Sequence, residues 1–180
     1  MKIIPYAKNL IEERSGMYCR QRTLARATSC SGVGVHSGRK VNLKIKPAPI
    51  NHGIKFIRTD LQDSPCISAR FNRVVDTSLA TVIGVEGFIV STIEHLMASF
   101  AGLSIDNALV EVDAHEMPIM DGSAAPFTRL IRDAGIVEQD GPKCVFLIKK
   151  PIALEKTANR FPSFLIQFIK SPVPSNMTIR

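Results

Sequence analysis

The stretch that most constrains the fold runs from residue 91 to residue 102, because its apolar residues recur at a helical spacing. The residues at i, i+3, i+4 and i+7 are Ile93, Leu96, Met97 and Phe100. Together they form one apolar stripe of a helix that turns about 100° per residue. The opposite side carries His95, Ala98, Ser99 and Gly102. The pattern therefore predicts a helix with one face in the core and an outer face of small residues open to close approach.

The adjacent Glu94 and His95 of this helix admit a structural and a chemical interpretation. Ser91 and Glu94 match a capping box, in which the glutamate accepts a hydrogen bond from the amide three residues earlier. A single outward histidine is also often an ordinary polar residue. On the chemical side, a neutral imidazole is a good Zn²⁺ ligand, and a carboxylate beside the metal can take a proton from metal-bound water. The pairing favours chemistry, and on these residues alone the capping role stays open.

Alternating apolar residues predict strands before this helix. Val41, Leu43 and Ile45 alternate with polar residues, and residues 53–58 repeat the pattern as the second strand of a hairpin-like pair. Further short strands are expected at residues 66–71, 79–83, 88–90, 108–112, 145–149 and 152–154.

A second helix is expected after residue 123. Ser123 is a suitable N-cap and Gly135 a suitable terminator. The apolar face between them consists of Phe127, Leu130, Ile131 and Ala134. The order of elements predicts an α+β fold, with a mostly antiparallel sheet packed on two helices.

A second carboxylate and imidazole pair competes with the first as a candidate site. His115 and Glu116 follow the predicted strand at residues 108–112. No predicted helix supports this pair, so Glu94 and His95 are the preferred candidates.

Composition excludes several classes of protein. The chain is 45% hydrophobic and 22% charged, which is ordinary for a globular domain and unlike a disordered or fibrous protein. Its four cysteines show neither a CxxC pair nor zinc-finger spacing, so a cytoplasmic location is expected. No apolar run approaches the roughly 18 residues of a membrane span, and no signal peptide is indicated.

The net charge of +7 is unevenly distributed. Residues 14–59 contain ten Lys or Arg and no acid, whereas residues 59–121 contain ten acids and only two arginines. The basic block could attract phosphates, lipid headgroups or nucleic acid, although a solvated face on alternating strands is the preferred explanation. Transient contact with a membrane surface stays open. No nucleic-acid partner is expected, because the block has no interleaved aromatic residues.

Six motifs in order resemble the UDP-3-O-acyl-N-acetylglucosamine deacetylases, the zinc enzymes of lipid A synthesis. They are QRTL at 21–24, GVGVHSG at 32–38, RTDL at 58–61, STIEHL at 91–96, GLSIDN at 102–107 and PIMDGSAAPF at 118–127. The match runs from about residue 19 to residue 156, and the specificity comes from the combination of motifs.

The resemblance implies two similar α+β domains with the active site between them. It implies that Glu94 is the general base and that His95 is a ligand of the Zn²⁺ cofactor. It also implies that the substrate, a UDP-linked acylated N-acetylglucosamine, is flanked by further residues and that Asp121 supports the site. The expected substrate-binding residues are Val35, His36, Thr77, Ser78 and Leu79.

The sequence departs from the family pattern in its second part. The family's second domain supplies a His and an Asp as the other zinc ligands, in a His-Lys-x-x-x-Asp-like motif. The four histidines of this chain are His36, His52, His95 and His115, and none has an Asp four residues later. The second domain is therefore expected to be largely missing.

Three segments follow from this comparison. Residues 1–18 are an extension of unclear role, with Met17 as an alternative start, residues 19–145 are the first deacetylase domain, and residues 146–180 begin a truncated or altered second domain. Two other readings stay open: an inactive fragment from a truncated or frameshifted gene, and a binding module that uses the basic block.

Overall fold

The structure is a computed structural model that describes residues 20–143 and, further along the chain, two short strands at residues 155–156 and 159–160. Residues 20–141 form one compact unit. Its strands are β1 Arg20–Leu24, β2 Thr28–Val33, β3 Lys40–Pro47, β4 Ile54–Arg58, β5 Cys66–Ser68, β6 Val74–Asp76, β7 Val82–Val85, β8 Phe88–Val90, β9 Ala108–Val112 and β10 Ile136–Pro142. Its helices are α1 Glu94–Gly102 and α2 Ala125–Ala134, with a short 3₁₀ helix at Phe71–Arg73. Outside this unit, β11 Glu155–Lys156 pairs with β12 Asn159–Arg160.

The main sheet has five strands in the order β2-β3-β9-β4-β5. All neighbours are antiparallel except β4 and β9, which are parallel. The predicted hairpin between the strands at 41–45 and 53–58 is therefore wrong, because β9 lies between them. Alternation fixes which face of a strand is buried but not which strand becomes its neighbour. Val110 and Val112 of β9 are fully buried, which suits a strand at the centre of the sheet.

The core lies between one face of this sheet and the two helices. Its largest cluster joins inward residues of the central strands to inward residues of both helices. From the sheet it includes Val41, Leu43, Ile45, Phe56, Ala108, Val110 and Val112, and from the helices Leu96, Phe100, Phe127 and Ile131. Asn42 and Lys44 alternate with this set and are exposed. These observations confirm the α+β fold class with a mostly antiparallel sheet.

Both predicted helices form, with small shifts at their first turns. The first begins at Glu94, three residues later than expected, and buries Leu96 and Phe100. The second spans Ala125–Ala134 and is followed by Gly135, whose φ of 77° suits glycine.

The outer face predicted for α1 needs a correction at Ser99, which is only 2% exposed. Its hydroxyl lies 2.9 Å from the carbonyl oxygen of Ala124 and 3.2 Å from the hydroxyl of Thr128, because α2 packs against this side of α1. Ala98 and Gly102 are exposed, as the pattern predicted.

Two smaller sheets complete the unit: β6-β7-β8 with three strands and β1-β10 with two. Two predicted strands are shorter than expected. The strand at 66–71 ends at Ser68, and the strand at 79–83 is shifted to Val82–Val85, so that Leu79 lies outside it and is 83% exposed.

Several expectations lie outside the described residues. These are the extension at 1–18, the strands at 145–149 and 152–154, and the boundary at residue 145. Within the described part, no helix is long and apolar enough to cross a membrane.

Candidate functional site

Glu94 and His95 occupy the first turn of α1, and an unusual backbone conformation precedes them. Thr92 has a φ of 60°, which a β-branched residue rarely adopts, and its side chain is buried. This conformation turns the chain between β8 and α1. Ile93 follows as the N-cap without a side-chain capping bond. The first turn is therefore set by tertiary contacts rather than by a capping side chain.

The carboxylate of Glu94 does not form the capping box. Its Oε2 accepts a hydrogen bond of 3.1 Å from the Thr81 amide, while the Ser91 amide donates to the carbonyl oxygen of His115 at 2.9 Å. The capping interpretation is therefore wrong. Among residues 20–143, no further donor contacts Glu94, so its Oε1 is available to another group.

His95 is half-buried and presents an uncommitted ring. Its carbonyl oxygen lies 3.0 Å from the Ser99 hydroxyl, a contact of the helix backbone. Within the described part of the chain, neither ring nitrogen of His95 has a hydrogen-bond partner. Either nitrogen could therefore bind a metal ion.

A complete metal centre is not assembled by the described residues. Residues 20–143 contain no cluster of three or more His, Cys, Asp or Glu side chains. Since a catalytic zinc ion takes three protein ligands, His95 fits only as one ligand of such a set.

In the predicted substrate loop at residues 34–38, the backbone is held by hydrogen bonds and two side chains are exposed. Val35 and His36 are exposed. The His36 amide donates to Glu116 Oε1 at 2.9 Å, and the Ser37 amide donates to Glu116 Oε2 at 2.8 Å. Gly34 lies directly against this carboxylate, and a Cβ there would overlap with it and with the Ser37 hydroxyl. The loop therefore closes around a carboxylate.

The second predicted pair separates into two roles. Glu116 is 1% exposed and is committed to the loop, while its neighbour His115 is half-buried. Burial alone would raise the pKa of Glu116, but hydrogen bonds from the Ser37 hydroxyl and from the amides of His36 and Ser37 hold it below the ordinary glutamate range. Glu116 is thus an ionised structural carboxylate rather than a base open to solvent.

The residues Thr77, Ser78 and Leu79 form an exposed turn between β6 and β7. The turn is held by Asp76, whose Oδ1 accepts hydrogen bonds from the Ser78 amide at 3.0 Å and the Ser78 hydroxyl at 2.7 Å. The Ser78 hydroxyl accordingly lowers the pKa of Asp76. Thr81, which binds Glu94, comes two residues after this turn, so the turn is tied to the start of α1.

Asp121 repeats the same arrangement before α2. Its Oδ1 accepts hydrogen bonds from the Ser123 amide at 2.9 Å and hydroxyl at 2.8 Å, and the hydroxyl lowers the pKa of Asp121. The Ser123 oxygen also accepts a hydrogen bond from the Ala125 amide, although the N-cap is Ala124, one residue later than predicted. In the described residues no hydrogen bond joins Asp121 to Glu94 or His95, so its observed role is to shape this turn.

Two other motifs from the sequence serve the fold. Asn107 is 1% exposed and hydrogen-bonds Gln21, Gln139 and the Gly53 amide in a buried polar network. This network ties β1, β9 and β10 together.

The RTDL motif joins the main sheet to the three-stranded sheet. Arg58 is 7% exposed, binds Asp60 through two nitrogens at 2.8 and 2.6 Å, and donates to the carbonyl oxygen of Ile89 at 2.9 Å. The Arg58 guanidinium lowers the pKa of Asp60.

Sequence reasoning did not predict the contacts of three residues that shape the site. Thr81 binds Glu94, Thr92 lies next to Glu116, and Glu116 binds the loop at residues 34–38. Each acts through a contact with a residue at least 13 positions away, which no local pattern reports. The available signal for Glu116 was its place beside His115 in the second carboxylate and imidazole pair.

A cavity of about 510 Å³ opens on the sheet face opposite the helices. It is lined by Ser29, Cys30, Ser31, Asn42, Leu43, Lys44, Thr59, Glu111 and Asp113. None of the predicted site residues lines this cavity.

Comparison with known proteins gives one consistent result. Residues 21–168 match the family model described as UDP-3-O-acyl N-acetylglycosamine deacetylase. The chain is similar to proteins named UDP-3-O-acyl-N-acetylglucosamine deacetylase from several bacteria. The relative from Myxococcus xanthus is 51% identical over 146 residues, which cover 79% of this chain and 46% of the relative. The relative from Chromohalobacter salexigens is 53% identical over 137 residues, which cover 76% of this chain and 45% of that relative. This chain therefore spans about half the length of the curated relatives that it matches.

Proposed function

The chain belongs to the UDP-3-O-acyl N-acetylglycosamine deacetylase family, and from that membership we propose that it forms part of an active site for deacetylation. The substrate in this proposal is UDP-3-O-acyl-N-acetylglucosamine, as the names of its relatives state. The reaction is hydrolysis of the acetamide, which releases acetate and leaves a free amine on the sugar.

The observation that carries the proposal is the state of the Glu94 and His95 side chains. One oxygen of Glu94 is fixed by the Thr81 amide, and the other has no donor among the described residues. A carboxylate held in this way can accept a proton from an attacking water without losing its orientation. We assign the role of general base to Glu94 on these grounds.

His95 is proposed as one ligand of a zinc ion, with the remaining ligands supplied from outside residues 20–143. Its ring nitrogens have no competing hydrogen bond in the described part of the chain. When bound, zinc would lower the pKa of a water molecule to about 7 and polarise the amide carbonyl.

The substrate side is assigned to two exposed segments that are linked to the start of α1, one through Glu116 and Thr92 and the other through Thr81. Val35 and His36 project from the loop held by Glu116, and Thr77, Ser78 and Leu79 lie in the turn held by Asp76. Both segments have a fixed backbone and exposed side chains, which suits residues that contact a ligand. Asp121 is proposed to support the site by shaping the turn before α2.

A basic binding module is less well supported. Four of the basic side chains form ion pairs within the unit, namely Arg20 with Asp140, Arg22 with Glu138, Lys46 with Glu111 and Arg58 with Asp60. The basic block is thus partly neutralised by acids of β9 and β10 and by Asp60, which follows β4.

The test is a histidine substitution in a chimera, in which residues 20–143 replace the matching segment of the Myxococcus xanthus relative. We expect His95→Ala to lower zinc content and acetate release together, because a site with two protein ligands holds zinc poorly. His52→Ala is the matched control, since His52 lies outside the proposed site and its ring Nδ1 contacts the carbonyl oxygen of the neighbouring Gly53. Normal zinc content and normal deacetylation in His95→Ala would contradict the proposal.

A further inference from the structure

Glu116 is a fully buried carboxylate whose charge is balanced in an unusual way. Its exposure is 1%, and within the described residues no Lys or Arg forms an ion pair with it. A buried charge without compensation would be strongly destabilising. The compensation comes from directed hydrogen bonds of neighbouring segments.

The first segment is the loop at residues 34–38. Each oxygen of Glu116 accepts one amide of this loop, from His36 at 2.9 Å and from Ser37 at 2.8 Å. Glycine at position 34 allows the loop backbone to approach the carboxylate. Two amides on one carboxylate fix both the position and the orientation of the loop.

The second segment is the chain that enters α1. The Oε1 atom that binds the His36 amide also lies 3.5 Å from the Thr92 hydroxyl. Thr92 holds the strained left-handed conformation two residues before Glu94. Next to it, the Ser91 amide donates to the carbonyl oxygen of His115, and Met117 donates to that of Ser91. The segment after β9 that carries Glu116 therefore contacts this entry segment through both backbone and side chain.

We propose that Glu116 is a positioning residue, which locks the loop carrying His36 onto the segment that sets Glu94 and His95. Its carboxylate is a shared anchor for two segments that are more than 50 positions apart in the sequence. The inference rests on the proposed function, because that function gives the two segments a common site. Strain at Thr92 is consistent with this role, since strained conformations persist where surrounding contacts over-determine them.

The experiment compares Glu116→Gln with the matched control Glu111→Gln in the complete 180-residue chain. Glutamine keeps the volume of Glu116 but turns an NH₂ group toward a backbone amide. We expect amide hydrogen exchange at His36 and Ser37 to accelerate by roughly 10-fold or more, the effect of losing a charge-assisted hydrogen bond. Glu111 pairs with Lys46 on the sheet face that points away from the helices. Its variant should therefore leave hydrogen exchange at His36 and Ser37 unchanged.

A second readout separates positioning from general stability. In Glu116→Gln the NMR shifts of the His95 imidazole should change, while exchange at core amides such as Val110 stays slow. A residue that serves stability alone would accelerate exchange throughout the chain and leave the His95 shifts in place. That result, or unchanged exchange at His36 and Ser37, would overturn the inference.

Thr92→Val provides the test if Glu116→Gln does not fold. It replaces the hydroxyl with a methyl group and keeps the branched shape, so the His95 shifts should move while the His36 amide stays protected. Unmoved His95 shifts would overturn the link between the two segments. Neither readout depends on turnover. A failed deacetylation assay would contradict the proposed function, whereas this inference is decided by amide hydrogen exchange and by the NMR shifts of His95.

Discussion

Single residues of the proposed site are held by backbone amides more than by side chains. Glu94 is oriented by the Thr81 amide, and Glu116 by the amides of His36 and Ser37. The position of Glu94 and His95 at the start of a helix was predictable from the sequence, because the apolar spacing of residues 93–100 indicates that helix. Their partners were not, because a contact between residue 81 and residue 94 depends on how β7 packs. The same local pattern suggested a capping box that does not form.

The close approach of Gly34 to Glu116 makes a direct prediction about stability. A Cβ in Gly34→Ala would overlap with the Glu116 carboxylate and force the loop away. We expect the free energy of unfolding to fall by about 1–3 kcal/mol, the usual cost of overpacking a filled site. Urea denaturation measures this change.

Gly102→Ala is the control for that substitution. Gly102 is the last residue of α1, and among the described residues a Cβ there would meet no atom within 4 Å outside its chain neighbours and its own helix backbone. Alanine should be neutral or stabilising by up to about 1 kcal/mol, as helix propensity predicts. Equal stability of the two variants would contradict the described packing of the loop.

At the level of elements, the alternating pattern predicted burial well and neighbours poorly. Val41, Leu43 and Ile45 are all buried, as expected from their spacing. The pairing of β3 with β9 instead of β4 was not predicted, because hydrophobic alternation contains no information on strand order. The RTDL motif shows a further limit. Its residues Arg58 and Asp60 connect two sheets, a role visible only once both sheets are placed.

The Arg58 and Asp60 pair predicts a pH dependence of stability. The pKa of Asp60 is lowered in the folded state, chiefly by its hydrogen bonds with Arg58. Its contribution is therefore complete above the unfolded pKa of about 3.9 and is lost as the pH falls through the lower folded value. We expect Asp60→Asn to cost about 2 kcal/mol at pH 7, with a cost that shrinks as the pH falls below the unfolded value and through the lower folded pKa.

Asp140→Asn is the matched control for this effect. Asp140 also pairs with an arginine, Arg20, but its side chain is 93% exposed. Exposed pairs contribute close to zero, so this variant should match the parent protein at every pH. Urea midpoints at several pH values decide the question, and a pH-independent cost for Asp60→Asn would count against an ionised Asp60.

At the scale of the whole molecule, family membership and fold class were predictable from the sequence. The proposed zinc site has only part of its ligand set among the described residues. Six ordered motifs suffice to indicate a family, because their combination is rare even where each is common. The structure divides those motifs by role: QRTL and RTDL serve the fold, and STIEHL carries the proposed chemistry. Among the described residues, His95 is the side chain proposed as a zinc ligand, and no group of three possible ligands forms there.

The central claim is that Glu94 acts in chemistry rather than in folding, and Glu94→Gln in the chimera described above tests it most directly. Glutamine can still accept the Thr81 amide through its oxygen, so folding and zinc content should be unchanged. Deacetylation turnover should fall by about 10²- to 10⁴-fold, the usual contribution of a positioned general base. A Glu94→Gln protein with normal zinc content and near-normal turnover would contradict the account.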